Sequence, residues 1–168
     1  MVDGCGVQEF VVDLLRWILG RLMDLVSVRS FVLFGSYARG DFRCNSDVDV
    51  LVISDDFPDR LSVRYDIVRP IFLEAKRHPL YREIRGRGFY PTFNYILYRS
   101  DEIVDTPPIF LDLVEDAVIL YDDGTFKSKI DMLRSRLREL GAERRVSKRG
   151  YRYWILKPDL KWGEVIEL

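Results

Sequence analysis

An α+β protein, α/β-like at its front, is what the sequence predicts: a mixed β-sheet flanked by helices, with a small β-containing extension at the C-terminus. Three observations lead there. Runs with helical spacing of apolar residues alternate with short β-branched runs between Val7 and Tyr121. Gly, Ser and Asp clusters separate them, as at Gly35-Ser36, Ser54-Asp55-Asp56 and Asp122-Asp123-Gly124. From Arg144 onward, two extended stretches flank a turn at Ser147 to Gly150.

Taken in order, Val7, Phe10, Val11, Leu14, Leu15, Ile18, Leu22 and Leu25 recur at helical spacing and predict an amphipathic helix over Val7 to Val26. Phe31 to Phe34 is a short apolar strand stopped by Gly35-Ser36, and Asp47 to Ile53 is a second strand. The stretch from Arg60 to about Arg77 reads as a helix with a stripe of Leu61, Tyr65, Val68, Phe72 and Ala75, interrupted or kinked at Pro70. Gly86 and Gly88 mark a loop, and Phe89 to Tyr98 is an aromatic and β-branched third strand. Thr106 is the expected N-cap of a helix that Pro107-Pro108 open and that runs to about Asp116. Val118 to Tyr121 is brief and extended, and Phe126 to Leu140 is a charged amphipathic helix closed by Gly141. The tail from Tyr151 to Leu156 and beyond is expected to pack back on the rest, with Gly163 at a turn. The organisation expected is a core over residues 1–122 and a C-terminal helix plus short β extension over 123–168, packed on the core as an annex or as part of the same domain.

A chain of 168 residues can bury one proper core, and 48% apolar with 32% charged residues is ordinary for a globular protein. A formal net charge of −1 excludes a generally basic nucleic-acid binder but leaves room for a local basic patch. Arginines cluster at Arg82, Arg85 and Arg87, and basic residues again at Arg144, Arg145, Lys148, Arg149 and Arg152. Such runs read first as solvated surface, and second as contacts for a phosphate-bearing partner. Cys5 and Cys44 form neither a metal-type spacing nor a disulfide framework. His78, before Pro79, has no second histidine to share a metal and suits a loop or helix end. Nothing resembles a signal peptide, and no apolar run approaches ~18 residues, so a cytoplasmic protein without a membrane partner is expected.

The chemistry concentrates in "FVLFGSYARGDFRCNSDVDVLV", Phe31 to Val52. Asp47 and Asp49 stand at i and i+2 of a strand, so both carboxylates point to one face a few ångströms apart. Ionised side by side, they repel each other and are poor core residues without compensation. A divalent cation held by oxygens, magnesium or manganese, is the natural compensation; a strand end in water is the plainer one. Gly35-Ser36 follows the first strand at once. Its exposed N–H groups and hydroxyl suit phosphate oxygens, and Arg39 can clamp a phosphate or carboxylate; the plainer reading is a tight strand-to-helix turn with Ser36 as N-cap.

Together these residues resemble the signature of the nucleotidyltransferase superfamily typified by DNA polymerase β, especially its minimal prokaryotic members. Its pattern is Gly-Ser, ten residues, then Asp-x-Asp. Here Gly35-Ser36 is followed by Tyr37 to Ser46 and then Asp47-Val48-Asp49. The resemblance implies transfer of a nucleotidyl group, first of all AMP from ATP, to a hydroxyl of a protein or RNA acceptor. Gly35, Ser36 and Arg39 would bind the nucleotide, and Asp47 and Asp49 would be catalytic and hold Mg2+ or Mn2+. In the family's toxin–antitoxin pairs the acceptor is a tyrosine of a separate helical toxin. A partner protein or a homo-oligomer is thus an expected form of assembly.

One departure from the pattern matters. Active members usually add a third carboxylate from a later strand, and "FYPTFNYILY" contains no acid. Asn94 stands where one would look; it offers a metal its carbonyl oxygen but cannot act as a base. Glu83, Asp101 and Glu102 merely flank the strand, and Asp101-Glu102 reads as the start of the next turn. Asp112, Glu115 and Asp116 read as a solvated helix face, and Tyr95, Tyr98, Tyr151, Tyr153 and Trp154 as sheet or core residues. Three readings stay open: a nucleotidyltransferase, an inert nucleotide-binding or interaction module on the same fold, and an RNA-binding scaffold using the arginines.

Overall fold

The computed structural model describes residues 4–150 and 152–168, and side chains from Gly6 onward; the Cys5 thiol and Tyr151 lie outside the described residues. Six helices and six strands follow one another along them. Helix α1 (Gly4–Met23) leads into β1 (Val28–Phe34), the five-residue α2 (Gly35–Arg39) and β2 (Val48–Ser54). Helices α3 (Leu61–Ala75) and α4 (Pro79–Gly86) precede β3 (Phe93–Tyr98). Then come α5 (Phe110–Asp116), β4 (Val118–Asp122), α6 (Thr125–Glu139) and a hairpin of β5 (Glu143–Val146) and β6 (Arg152–Ile155). None of the described helices is long and apolar enough to cross a membrane.

The main sheet has the order β3-β2-β1-β4 and is mixed as expected, with β1 antiparallel to both neighbours and β2 parallel to β3. Its two central strands are covered on both faces, which explains their nearly unbroken apolar runs. Val48, Val50 and Val52 face the core shared with α1, α3 and α4, where Leu14, Ile18, Val68 and Phe72 are buried. Leu51 and Ile53 face the other core, with Phe110 and Leu113 of α5 and Phe126 and Ile130 of α6. Strand alternation puts Asp49 on that second side. Trp154, Leu156 and Leu168 extend the second core, so the tail does fold back on the sheet.

Several elements depart from the sequence expectation, the first strand by starting at Val28 and not at Phe31. The second strand starts at Val48, one residue late, leaving Asp47 at its mouth. The third strand is confined to Phe93–Tyr98, because Pro91 has no N–H for a ladder and the segment before it bends to meet Cys44, whose carbonyl accepts from Tyr90 N–H. Helix α4 fills a stretch that the sequence pattern leaves unassigned and ends at Gly86, where a loop is expected. His78 is its N-cap, with Nδ1 accepting from Leu80 N–H, and Pro79 stands in its first turn, so the histidine's helix-end role holds. Thr106 is no N-cap: its φ is +49°, its hydroxyl donates to the Leu168 carbonyl at 2.9 Å, and α5 starts only at Phe110. Consecutive prolines disfavour helical geometry at the residues before them, and this delays the helix past Pro108.

Candidate active site

The site lies where β1 ends and β2 begins. Phe34 and Asp49 are paired in register, so the chain leaving β1 passes directly over the Asp49 side chain. Only glycine fits there. Gly35 has a φ of +73°, and a β-carbon on it would stand 2.2 Å from Asp49 Oδ2. Helix α2 is closed by Gly40 in the left-handed region, with Gly40 and Asp41 N–H groups donating to the Ser36 carbonyl. Gln8 of α1 anchors the turn by donating to the Tyr37 carbonyl at 2.6 Å. The Tyr37 ring is buried and stacked on Phe42 with centroids 4.1 Å apart. Burial, with smaller contributions from Tyr81 and Cys44, pushes its phenol up to about 12.

Asp47 reaches across to the residue just before β3, and Asp49 to β3 itself. Thr92 donates to Asp47 Oδ1, and Asn94 Nδ2 donates to Asp49 Oδ1 at 2.9 Å. Asn94, opposite Asp49 in the parallel register, thus occupies the position where a third carboxylate would stand. Burial raises the pKa of Asp49; the Asn94 hydrogen bond and the Arg39 charge pull it down, and the Asp47 charge pushes it up. These residues suit a hard divalent cation. The donors are all oxygen, Thr92 and Asn94 engage one oxygen of each carboxylate, and the mutual repulsion calls for positive charge. Among the described residues, no group of three or more His, Cys, Asp or Glu is placed to hold a metal, so the carboxylates form a pair, not a triple.

A cavity of about 560 Å³ opens beside this pair, within the range of roughly 300–1,000 Å³ usual for small-molecule sites. Gly35, Arg39, Asp49 and Asn94 line it, while Ser36 and Asp47 are not part of its wall. Sequence reasoning missed the rest of the lining. Asp112 and Asp116 of α5 face the cavity, and so do Arg144 and Arg152 of the hairpin. Asp112, Asp116, Arg144 and Arg152 are therefore more than solvated surface.

Asp116 is the hub of this wall. Its Oδ2 lies 2.8 Å from Arg144, 3.3 Å from Arg39 and 3.6 Å from Arg152. Burial alone would raise its pKa, but the Arg144 hydrogen bond and the three guanidinium charges hold it below the ordinary carboxylate value. Arg144 is held in turn by Asp116 and by Glu115, which keep it charged. Trp154, opposite Arg144 in the hairpin, donates its indole N–H to the Leu111 carbonyl and docks the hairpin on α5. The signal for this wall was an arginine-rich hairpin in a chain whose α5 presents Asp112 and Asp116 at i and i+4, one side of a helix.

A family model described as a nucleotidyltransferase domain matches residues 15–131. A Methanocaldococcus jannaschii protein named "putative protein adenylyltransferase" is 49% identical over 103 residues, 61% of this chain and 63% of its own length. A second protein of that name and organism is 32% identical over 78 residues, 42% of this chain and 72% of its own length. The crystal structure of a "putative nucleotidyltransferase" from Sulfolobus solfataricus superposes with a TM-score of 0.48 at 19% identity, covering 71% of this chain and 87% of that one.

Proposed function

We propose a function from one premise: the chain belongs to the nucleotidyltransferase domain family. It transfers AMP from ATP to a hydroxyl group, and the acceptor is a protein. The acceptor hydroxyl oxygen bonds to the α-phosphorus, the bond from that phosphorus to the bridging oxygen breaks, pyrophosphate leaves, and the hydroxyl proton passes to solvent. The observation that carries this reading is the contact between Gly35 and Asp49. A glycine turn pressed onto a half-buried carboxylate, with a second carboxylate two residues away, supplies phosphate-facing backbone and cation-binding oxygens in one place. The choice of AMP and of a protein acceptor draws on the naming of the two relatives, the first of which is matched over less than two thirds of its length.

Each residue has a separable task. Gly35 admits the phosphates close to the backbone, Ser36 offers a hydroxyl beside them, and Arg39 neutralises phosphate charge. Asp47 and Asp49 would hold magnesium or manganese, with the Asn94 side chain as a neutral neighbour. Bound there, the cation would neutralise phosphate charge and polarise the attacking oxygen. Thr92 and Asn94 hold the two carboxylates in place, so the site is organised before nucleotide arrives.

Asn94 also favours a second reading, nucleotide binding without turnover, because an amide cannot take a proton from the acceptor. Label transfer separates the two. With magnesium and host-cell extract, adding the chain is expected to add protease-sensitive protein label from ATP labelled at the α-phosphate, while it adds none from γ-labelled ATP beyond the extract's own background. Asp49→Asn is expected to abolish the signal. Magnesium-dependent ATP binding with no α-label transferred would establish the second reading, and ribonuclease-sensitive label would move the acceptor to RNA.

A further inference from the structure

We infer that Arg152, carried by the C-terminal hairpin, is a second phosphate-binding arginine of this site and engages the far end of the triphosphate beside Arg39. The inference rests on the nucleotide-binding reading above. Its basis is a shared pair of oxygens. Arg39 reaches Asp41 Oδ2 at 3.2 Å and Asp116 Oδ2 at 3.3 Å; Arg152 reaches the same two atoms at 3.4 and 3.6 Å. An anion that arrives at Arg39 therefore meets Arg152 as well.

The two hairpin arginines that line the cavity, Arg144 and Arg152, differ in how firmly they are held. Arg144 is largely covered and is held by both Glu115 and Asp116, the latter at 2.8 Å, so it is the fixed member that ties the hairpin to α5. Arg152 has 40% of its side chain exposed, and both its ion pairs are long and made to oxygens that other arginines already use. It is the guanidinium of the wall that loses least by changing partner. Phosphate oxygens offer it the planar, two-pronged geometry that a shared carboxylate oxygen does not. Bond exchange takes place at the α-phosphate, which belongs at the Asp47–Asp49 pair. The wall built by α5 and the hairpin is then left to the β- and γ-phosphates.

Calorimetric titration of the whole chain with ATP, ADP and AMP, each with magnesium, tests this. Arg152→Ala is expected to weaken ATP binding roughly tenfold or more and to change AMP binding less than about twofold. Arg152→Lys, with the charge but not the fork, is expected to recover only part of the loss. Arg145→Ala, which removes an exposed charge of the same hairpin paired with Glu143 and outside the cavity wall, is expected to leave all three affinities unchanged. Unaltered ATP affinity in Arg152→Ala would overturn the inference. So would equal weakening of ATP and AMP, or an equal loss in Arg145→Ala, which would mean a diffuse charge effect. A wild-type chain that binds no ATP would instead overturn the nucleotide-binding reading itself.

Discussion

Arg64 and Arg152 are both arginines held by carboxylates, one deep between α3 and the end of β3, the other on the hairpin over the cavity. Arg64 is 2% exposed and meets Glu102 through both oxygens, at 2.5 and 2.6 Å. Its remaining N–H groups donate to the carbonyls of Pro58, Asp59 and Leu97, so the guanidinium is fully enclosed in acceptors. Arg152 has two ion pairs longer than 3.3 Å and stands at an open wall. A closed network of this kind binds a loop to a strand end and has nothing to give a ligand. An open one, with more guanidinium donors than its carboxylates can satisfy at short range, is chemically incomplete and sits where phosphate is expected.

The contrast is broken most severely by Glu102→Gln. It leaves a buried guanidinium without its counter-charge and is expected to cost about 3 kcal/mol, seen as a fall in denaturation midpoint with little effect on nucleotide affinity. Gly35→Ala should follow, at roughly 1–2 kcal/mol for the left-handed backbone alone, and more if the methyl displaces Asp49. Unlike Glu102→Gln, it should also remove magnesium-dependent ATP binding. An Ala variant with wild-type binding would deny the close approach of Gly35 to Asp49 any part in function.

Acid pH sharpens the same comparison. The Arg64 hydrogen bond holds Glu102 below its ordinary value of 4.5. A carboxylate lowered in this way contributes stability that is present above its unfolded pKa and lost as pH falls through the folded one. Wild type is therefore expected to lose stability below about pH 4.5, and Glu102→Gln to show a shallower loss over that window. Equal slopes would mean that the pair is not coupled to folding. The smallest effect belongs to Arg39→Ala. Removing its exposed ion pairs should change stability by at most about 1 kcal/mol, while ATP affinity falls clearly.

These two networks also show what could be read from sequence and what could not. The Asp47–Asp49 pair was legible because strand periodicity fixes the face of each residue from its neighbours, and Gly35-Ser36 was legible because it interrupts an apolar run. Fold class followed from the same local patterns. Helix α4 was not legible: in "PLYREIRG" only Tyr81 and Ile84 are buried, too few for a periodic stripe. Arg64 and Glu102 belong to different elements, and nothing local marks their pairing. Asp116, Arg144 and Arg152 meet only because the hairpin folds back on α5, a tertiary event that charge spacing along the chain does not encode.

The central claim is that Asp47, Asp49 and the Gly35 turn form a metal-dependent triphosphate site. Thermal unfolding of wild type and Asp47→Asn, each with and without ATP and magnesium, tests it most directly. At ~100 times the dissociation constant a ligand adds about 2.7 kcal/mol to the folded state, which for a chain of this size raises the melting temperature by roughly 5–10 °C. That rise is expected in wild type only when ATP and magnesium are both present, and is expected to be lost in Asp47→Asn. No rise in wild type, or the same rise in Asp47→Asn, would contradict it.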